Sequence, residues 1–225
     1  GCQIRAVAKG ARKTGSRFGA RLEPFAVADL LLHTGRTLEV VADAQTVTSH
    51  AALREDYDRC VAATVAADFL DKSSVECQTE ERLFGLATAT LDAMEAAEVR
   101  DLPALVVAFL IKGMAMQGYR PQFRACTSCG AGVSGDLLFD LELGGPSCEG
   151  CACADARQLR VGAGTAAALD AFLGARMAEI GRLEVPPAVT AAALRVMCAF
   201  VAFHVPARLK ALEMYVSSIE RSLPA

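Results

Sequence analysis

A chain of 225 residues, 53% hydrophobic and 22% charged, is excluded from the disordered class and is long enough to bury a sizeable core, as one large domain or as two small ones with an insert. Nine cysteines, an odd number, with no secretory leader pattern, point to a reducing compartment and away from a disulfide-built scaffold. The net charge of −3 hides an asymmetry: residues 1–24 carry Arg5, Lys9, Arg12, Lys13, Arg17 and Arg21 against Glu23 alone, a balance of +5, and the remainder carries 17 basic and 25 acidic side chains, a balance of −8. One concentrated basic end on an acidic protein is the pattern of a local anion-binding surface.

In chain order, residues 3–8 alternate polar and apolar like a half-buried strand. Residues 9–20 are rich in Gly, Lys and Arg and read as a loop. Residues 22–32 return to strand character, with Pro24 expected at a strand start or edge. Thr34-Gly35-Arg36 is a turn, and 37–41 is another β-type run. Three strands joined by a basic loop and a tight turn suggest a small antiparallel barrel or part of one. From about Ala44 the period becomes helical, with Leu53, Tyr57, Cys60, Val61, Thr64 and Val65 on one face and a helix end near Leu70. Further helices are expected over 80–99, and from an N-cap at Asp101 with Pro103 in the first turn to Gly118. A cysteine-rich segment over 122–154 interrupts them. Helices resume over 164–180, 187–203 and 207–219, with Pro206 dividing the last two.

Two apolar stretches, 102–116 and 189–205, fall short of the ~18 uninterrupted residues of a membrane span. The first contains Pro103 and Lys112, the second Arg195 and His204. Leu31, Leu105, Phe109, Ile111 and Met114 are expected in the core, with a groove for a partner peptide as the alternative, and the thiols of Cys60, Cys77 and Cys198 are expected to be buried as well. His204 is expected at a helix end beside the core.

The cysteine segment carries the sharpest signal. Cys126-x2-Cys129 and Cys148-x2-Cys151, separated by eighteen residues, have the spacing of a structural Zn(Cys)4 site. Each pair places two thiolates near one ion, and the intervening segment need fold back only once. No His lies nearby, so all four ligands would be sulfur, as in a closed structural site. A redox pair or disulfides are the alternatives, and Cys153 is an alternative fourth ligand.

The loop carries the binding signal. Lys9, Arg12, Lys13, Arg17 and Arg21 offer cations for phosphates, Phe18 a ring to stack on an unpaired base, and the glycines a close backbone approach. A solvated charged loop is the plain alternative. Enzymatic readings find little support: His33, His50 and His204 lie in no metal-hydrolase pattern, and the G-x-x-x-x-G-K-[ST] order of a P-loop is absent.

Arg5-Ala-Val-Ala-Lys-Gly-Ala-Arg-Lys-Thr14, followed by Ser16-Arg-Phe-Gly-Ala-Arg-Leu-Glu-Pro-Phe25, resembles the hallmark of the bacterial RecO (recombination protein O) DNA-repair family. The run 29–32, the Gly35-Arg36 turn with Leu38, and the double C-x2-C insert are similar to that family as well. The resemblance covers essentially the whole chain. It implies an α+β protein: an OB-type barrel over 1–48, then a helical domain over 49–225 with the zinc-ribbon insert at about 122–154. It implies a cytoplasmic, nucleoid-associated, non-enzymatic mediator that binds and anneals single-stranded DNA, and binds double-stranded DNA too. With RecR it would promote RecA loading onto DNA coated by single-strand-binding protein, whose C-terminal tail it would recognise. Carried over by residue, the basic loop would hold phosphates and the four cysteines would hold zinc. Arg124, just before the first cysteine pair, is a further candidate for the DNA surface. Family members begin earlier, with the first barrel strands, so with Gly1 falling inside the barrel an incomplete OB fold is expected here. A zinc-ribbon module that recruits a protein partner and touches DNA little is the alternative. A thiol oxidoreductase is a third.

Overall fold

The computed structural model describes residues 3–11, 13, 15–16, 18–74, 80–152 and 157–222. It is an α+β chain, with one small sheet near the start, a helical body, and a second small sheet inserted in that body.

The first sheet has three strands in the order β1-β3-β2, with β1 Ala6–Val7, β2 Val27–His33 and β3 Glu39–Thr48. The expected strand over 3–8 shrinks to two residues, and it runs parallel to β3, where an antiparallel arrangement was expected. β2 and β3 are antiparallel, with register irregularities between Val27 and Ala28 and between Leu31 and Leu32. The turn between them requires glycine, because a Cβ on Gly35 would lie 2.0 Å from the Leu38 carbonyl oxygen. The run 22–32 divides: Gly19–Leu22 is a 3-10 turn, Phe25 stands at φ +67°, and the strand starts only at Val27. Pro24 therefore sits in a turn ahead of the strand, and its carbonyl accepts from Arg54 at 2.8 Å. β3 persists to Thr48, past the point where the apolar period turns helical, since backbone pairing with β2 outlasts the side-chain pattern. The described strands form an open sheet, and Leu31 on β2 is exposed on it, not in the core as expected.

Several short contacts tie this sheet to the helices. Phe25 packs on the main core. His50, buried, faces the Phe25 carbonyl through Nδ1 at 3.0 Å and the Asp92 carboxylate through Nε2 at 2.9 Å.

The helical body comprises α1 Ala51–Glu55, α2 Tyr57–Ser73, α3 Glu81–Ala96, α4 Leu102–Met116, α5 Ala163–Gly174, α6 Pro187–His204 and α7 Lys210–Ser222. Asp56 caps α2 by accepting from the Arg59 N–H at 2.9 Å. The Arg59 guanidinium closes the end of α3, donating to the carbonyls of Met94, Glu95 and Ala97. A cation there complements the negative end of the helix dipole. α4 is the axis of the body. Apart from Lys112 its residues are apolar on every face, and all from Leu105 to Ile111 are buried, with Gly113 and Met114 beyond them. Pro103 stands in its first turn as expected, though Asp101 makes no side-chain cap bond. Around it pack α2, α3, α5, α6 and a 3-10 segment, Met177–Leu183. That segment ends the expected helix over 164–180 early. The last helix starts three residues late, after Val205 and Pro206 leave α6 in extended geometry.

α6 is 18 residues long and apolar enough to cross a membrane by length and composition, longer than the sequence suggested. It is a core helix instead: Leu194, Met197, Phe200 and Val201 are buried against the rest of the body. Cys60 and Cys198 are half-buried, short of the full burial expected, because each lies at the margin of its helix's packed face. Cys77 lies outside the described residues.

α2 crosses α4 where Gly113 admits the Phe69 ring. A Cβ at Gly113 would meet Phe69 Cε1 at 2.7 Å, and that ring is held edge-on against Phe109, centroids 5.5 Å apart. Gly113→Ala should therefore lower stability by about 1–3 kcal/mol despite alanine's better helix propensity. Urea unfolding measures this, and an unchanged midpoint would mean that the two helices are not in contact there.

Candidate metal centre and nucleic-acid loop

The insert is a small antiparallel sheet, order β5-β4-β6, of β4 Leu137–Asp140, β5 Gly145–Ser147 and β6 Gln158–Val161. Its inner side joins the main core. Phe139 stacks on Phe123 with centroids 5.6 Å apart and meets Phe200 of α6 edge-on at 5.9 Å. His204, at the end of α6 as expected, donates from Nε2 to the Leu141 carbonyl at 2.8 Å, which fixes its tautomer, and Tyr119 lies over its ring. Buried Asp140 accepts from the Glu142 and Leu143 N–H groups and shapes the β4–β5 turn.

The outer side carries the cysteines. The first pair sits on a tight turn closed by a bridge between Ala125 and Gly132. In it, Cys126 N–H donates to the Ala131 carbonyl at 2.7 Å and Gly130 N–H to the Cys126 carbonyl at 2.9 Å, with Gly130 at φ +74°. The second pair forms a matching turn, in which the N–H groups of Cys151 and Ala152 both donate to the Cys148 carbonyl. The two turns face each other because Thr127 N–H donates to the Pro146 carbonyl at 2.9 Å. This approach needs glycine at 145, where a Cβ would lie 2.6 Å from the Thr127 methyl.

The result is that the sulfurs of Cys126, Cys129, Cys148 and Cys151 all lie within 4.8 Å of one another. Cys129 Sγ and Cys148 Sγ are 3.7 Å apart. An ion held tetrahedrally by thiolates at about 2.3 Å has sulfur–sulfur edges of about 3.8 Å, so the donor set fits such an ion. The Cys126 thiol is held down at about 6, first by backbone hydrogen bonds at Cys129, Cys148 and Ser128; the Cys148 N–H points at its sulfur from 3.4 Å. The Cys151 thiol is pushed up to about 12, because as a thiol it shares hydrogen bonds with the sulfurs of Cys148, Cys129 and Cys126. The backbone thus prepares one anion, and the crowding of four sulfurs keeps a proton on another until a cation replaces it. Cys153, the alternative ligand, lies outside the described residues.

The basic loop is a string of tight turns. Ala11 N–H donates to the Ala8 carbonyl, Lys13 to Gly10, Ser16 to Lys13 and Arg21 to Phe18. Gly10 and Gly15 stand at φ +79° and +78°, which the turns require. Lys9, Lys13 and Arg21 are exposed, and the Arg21 guanidinium reaches the Ala44 carbonyl at 3.2 Å. Arg12 and Arg17 lie outside the described residues. Phe18 corrects the expectation of a stacking ring. It is 1% exposed, packed on Val41 and Ala44 with Ala8, Ala11, Leu22 and Leu32 about it, and it anchors the loop to the sheet. A large aromatic side chain gains more from that burial than from standing in water. Arg124 is largely exposed and pairs with Asp170, at 3.0 Å from Nε.

Sequence reasoning missed one feature. A groove of about 1180 Å³ opens between the starts of α2, α4 and α6 and the flank of α7. Tyr57, Val99 and Met214 expose apolar surface along it, and Arg100 and Arg221 stand among its lining residues. Its walls come from four separated segments, so no local pattern announces it. The exposed Met214 on an otherwise amphipathic α7 was the available signal.

Fold and cysteine cluster together describe an α+β chain in which a basic-looped sheet precedes a helical body with a sulfur-lined insert. Residues 2–50 match the family described as Recombination protein O N terminal, and residues 54–213 match Recombination protein O C terminal. The chain belongs to the recombination protein O family. Among curated relatives it is similar to a protein of Nocardioides sp., 34% identical over 217 residues covering 93% of this chain and 86% of that one. A protein of Alkaliphilus metalliredigens is 31% identical over 202 residues, 90% of this chain and 82% of that one. One of Frankia casuarinae is 40% identical over 164 residues, 72% and 66% of the two chains. All three are named DNA repair protein RecO.

A metal-binding titration checks the sulfur chemistry. Binding of Zn2+ must displace the Cys151 proton, whereas Cys126 is already ionised at neutral pH. Proton release should therefore accompany binding, affinity should tighten as pH rises above 7, and it should fall sharply on acidification through pH 6 as Cys126 protonates. Calorimetry in two buffers of different ionisation enthalpy reads this directly. A pH-independent affinity would show that the four sulfurs are not the ligands.

Proposed function

We propose that this chain is a non-enzymatic mediator of DNA repair and homologous recombination. It binds single- and double-stranded DNA, anneals complementary strands, and with RecR promotes RecA loading onto DNA coated by single-strand-binding protein. Its place of action would be the nucleoid of the bacterial cytoplasm. The observation that carries this reading is the family match along both halves of the chain, together with a basic loop whose turns expose Lys9 and Lys13. Lys9, Arg12, Lys13, Arg17 and Arg21 would hold phosphates, while Phe18 holds the loop. Such contacts are sequence-independent and release counterions. The cysteine cluster would hold a structural Zn2+, since four soft sulfur donors without an open position suit that ion.

The groove supports a protein partner beside DNA. A chain's C-terminal tail brings a free carboxylate next to side chains, and the groove offers apolar surface at Tyr57, Val99 and Met214, with Arg100 and Arg221 standing among the carboxylates of Asp58, Asp101, Glu184 and Glu213. The tail of single-strand-binding protein would lie there.

Two measurements test these assignments. For oligo-dT binding, Lys9→Ala and Lys13→Ala should each lower the slope of log K against log salt by about one and weaken all sequences alike. An unchanged slope sinks the loop as the DNA surface. Met214→Glu should abolish binding of a labelled tail peptide and leave DNA affinity intact. Peptide binding that survives this change places the tail elsewhere.

A further inference from the structure

The four sulfurs differ in their access to water. Cys129 is exposed, Cys126 is buried, and Cys148 and Cys151 are half-buried. Cys129 lies in the first turn, beside Gly130. Its sulfur lies 3.7 Å from that of Cys148, across the gap between the two turns. Metal coordination would hold both sulfurs as thiolates, and an exposed sulfur with a second one 3.7 Å away is the arrangement that reacts with peroxides and then closes on itself.

We infer that Cys129 is an oxidant-modification site: a hydroperoxide oxidises it, Cys148 resolves it into a disulfide, and the bound metal is expelled. The inference rests on the zinc reading above. In the first step the Cys129 thiolate attacks one peroxide oxygen. The S–O bond forms, the O–O bond breaks, and hydroxide leaves; sulfur loses two electrons and the peroxide gains them. In the second step the Cys148 thiolate attacks the sulfenic sulfur. The S–S bond forms, the S–O bond breaks, and a second hydroxide leaves. Cys126 and Cys151 remain, and two thiolates cannot fill a four-coordinate shell.

The geometry permits this exchange without unfolding the insert. The sulfurs need to close from 3.7 Å to a bonding distance of about 2.05 Å, and the turn at Gly130 is free of contacts that a Cβ would meet. The new bond joins the same two turns that the metal joined. Phe139 and Phe123, set in the helical core, hold the sheet independently of the metal. Oxidation thus replaces a metal clip by a covalent one, and a thiol reductant with Zn2+ restores the first state.

The test uses the full chain loaded with Zn2+, its metal content measured before oxidant is added. Hydrogen peroxide should release one Zn2+ per chain, followed with a chromogenic chelator, and peptide mapping should find one disulfide joining Cys129 to Cys148. Dithiothreitol with Zn2+ should reverse both. Cys129→Ser should slow peroxide-driven release by about tenfold or more relative to the parent, because the exposed thiolate is gone. A disulfide between any other pair overturns the assignment. A zinc-loaded chain that keeps its metal and its thiols under peroxide overturns this inference alone. A chain that takes up no Zn2+ at the outset overturns the zinc reading and this inference with it.

Discussion

One helix that is apolar on every side must be covered on every side. α4 imposes that constraint, and the helical body is the response to it. No face of α4 can be left to water without exposing Leu, Val, Phe or Ile, each worth about 1.5–3 kcal/mol when buried. α2, α3, α5, α6 and the 3-10 segment Met177–Leu183 therefore surround it. Where α2 must come closest, a glycine stands in α4 and an aromatic ring fills its place. The capping of α3 by Arg59 fixes how α2 and α3 enclose the axis, because one guanidinium serves three carbonyls.

The insert belongs to the same constraint. It is bound into the core by its aromatic inner face and displays sulfur on its outer face. A small sheet of three short strands needs a packed apolar face to be stable in water. Here apolar packing holds one side and the cysteine cluster the other. The sulfurs converge because main-chain bonds align two turns, Thr127 with Pro146 and Gln122 with Gly144, and because Gly145 leaves room for them. The chemistry of the cluster is thus a consequence of backbone geometry: amides favour one thiolate, and crowding keeps a proton on another.

The basic loop follows a similar logic at smaller scale. Its glycines allow a chain of turns, and a buried aromatic side chain pins the chain to the sheet. Cations are left outward because the apolar residues of the loop face inward. The ring that sequence assigned to a base is what holds the cations in place.

The sequence by itself determined a good deal of this protein. Helical periods located α3, α4 and α6 closely, because long apolar patterns are read from neighbours three and four residues away, whereas the single helix expected through Leu53 and Tyr57 is broken at Asp56 into α1 and α2. The double C-x2-C spacing identified the four clustered cysteines for the same reason: each pair acts locally. Only the tertiary structure decided the rest. β1 runs parallel to β3, and β3 continues past Ala44, because strand pairing is set by a distant partner. Phe18 turned inward because Val41 and Ala44, far along the chain, offered it an apolar seat. The rank of the four sulfurs by exposure, and the groove between the starts of α2, α4 and α6 and the flank of α7, depend on segments that meet only after folding. Local sequence specifies what a residue can do; which neighbours and how much water it meets are properties of the packed chain.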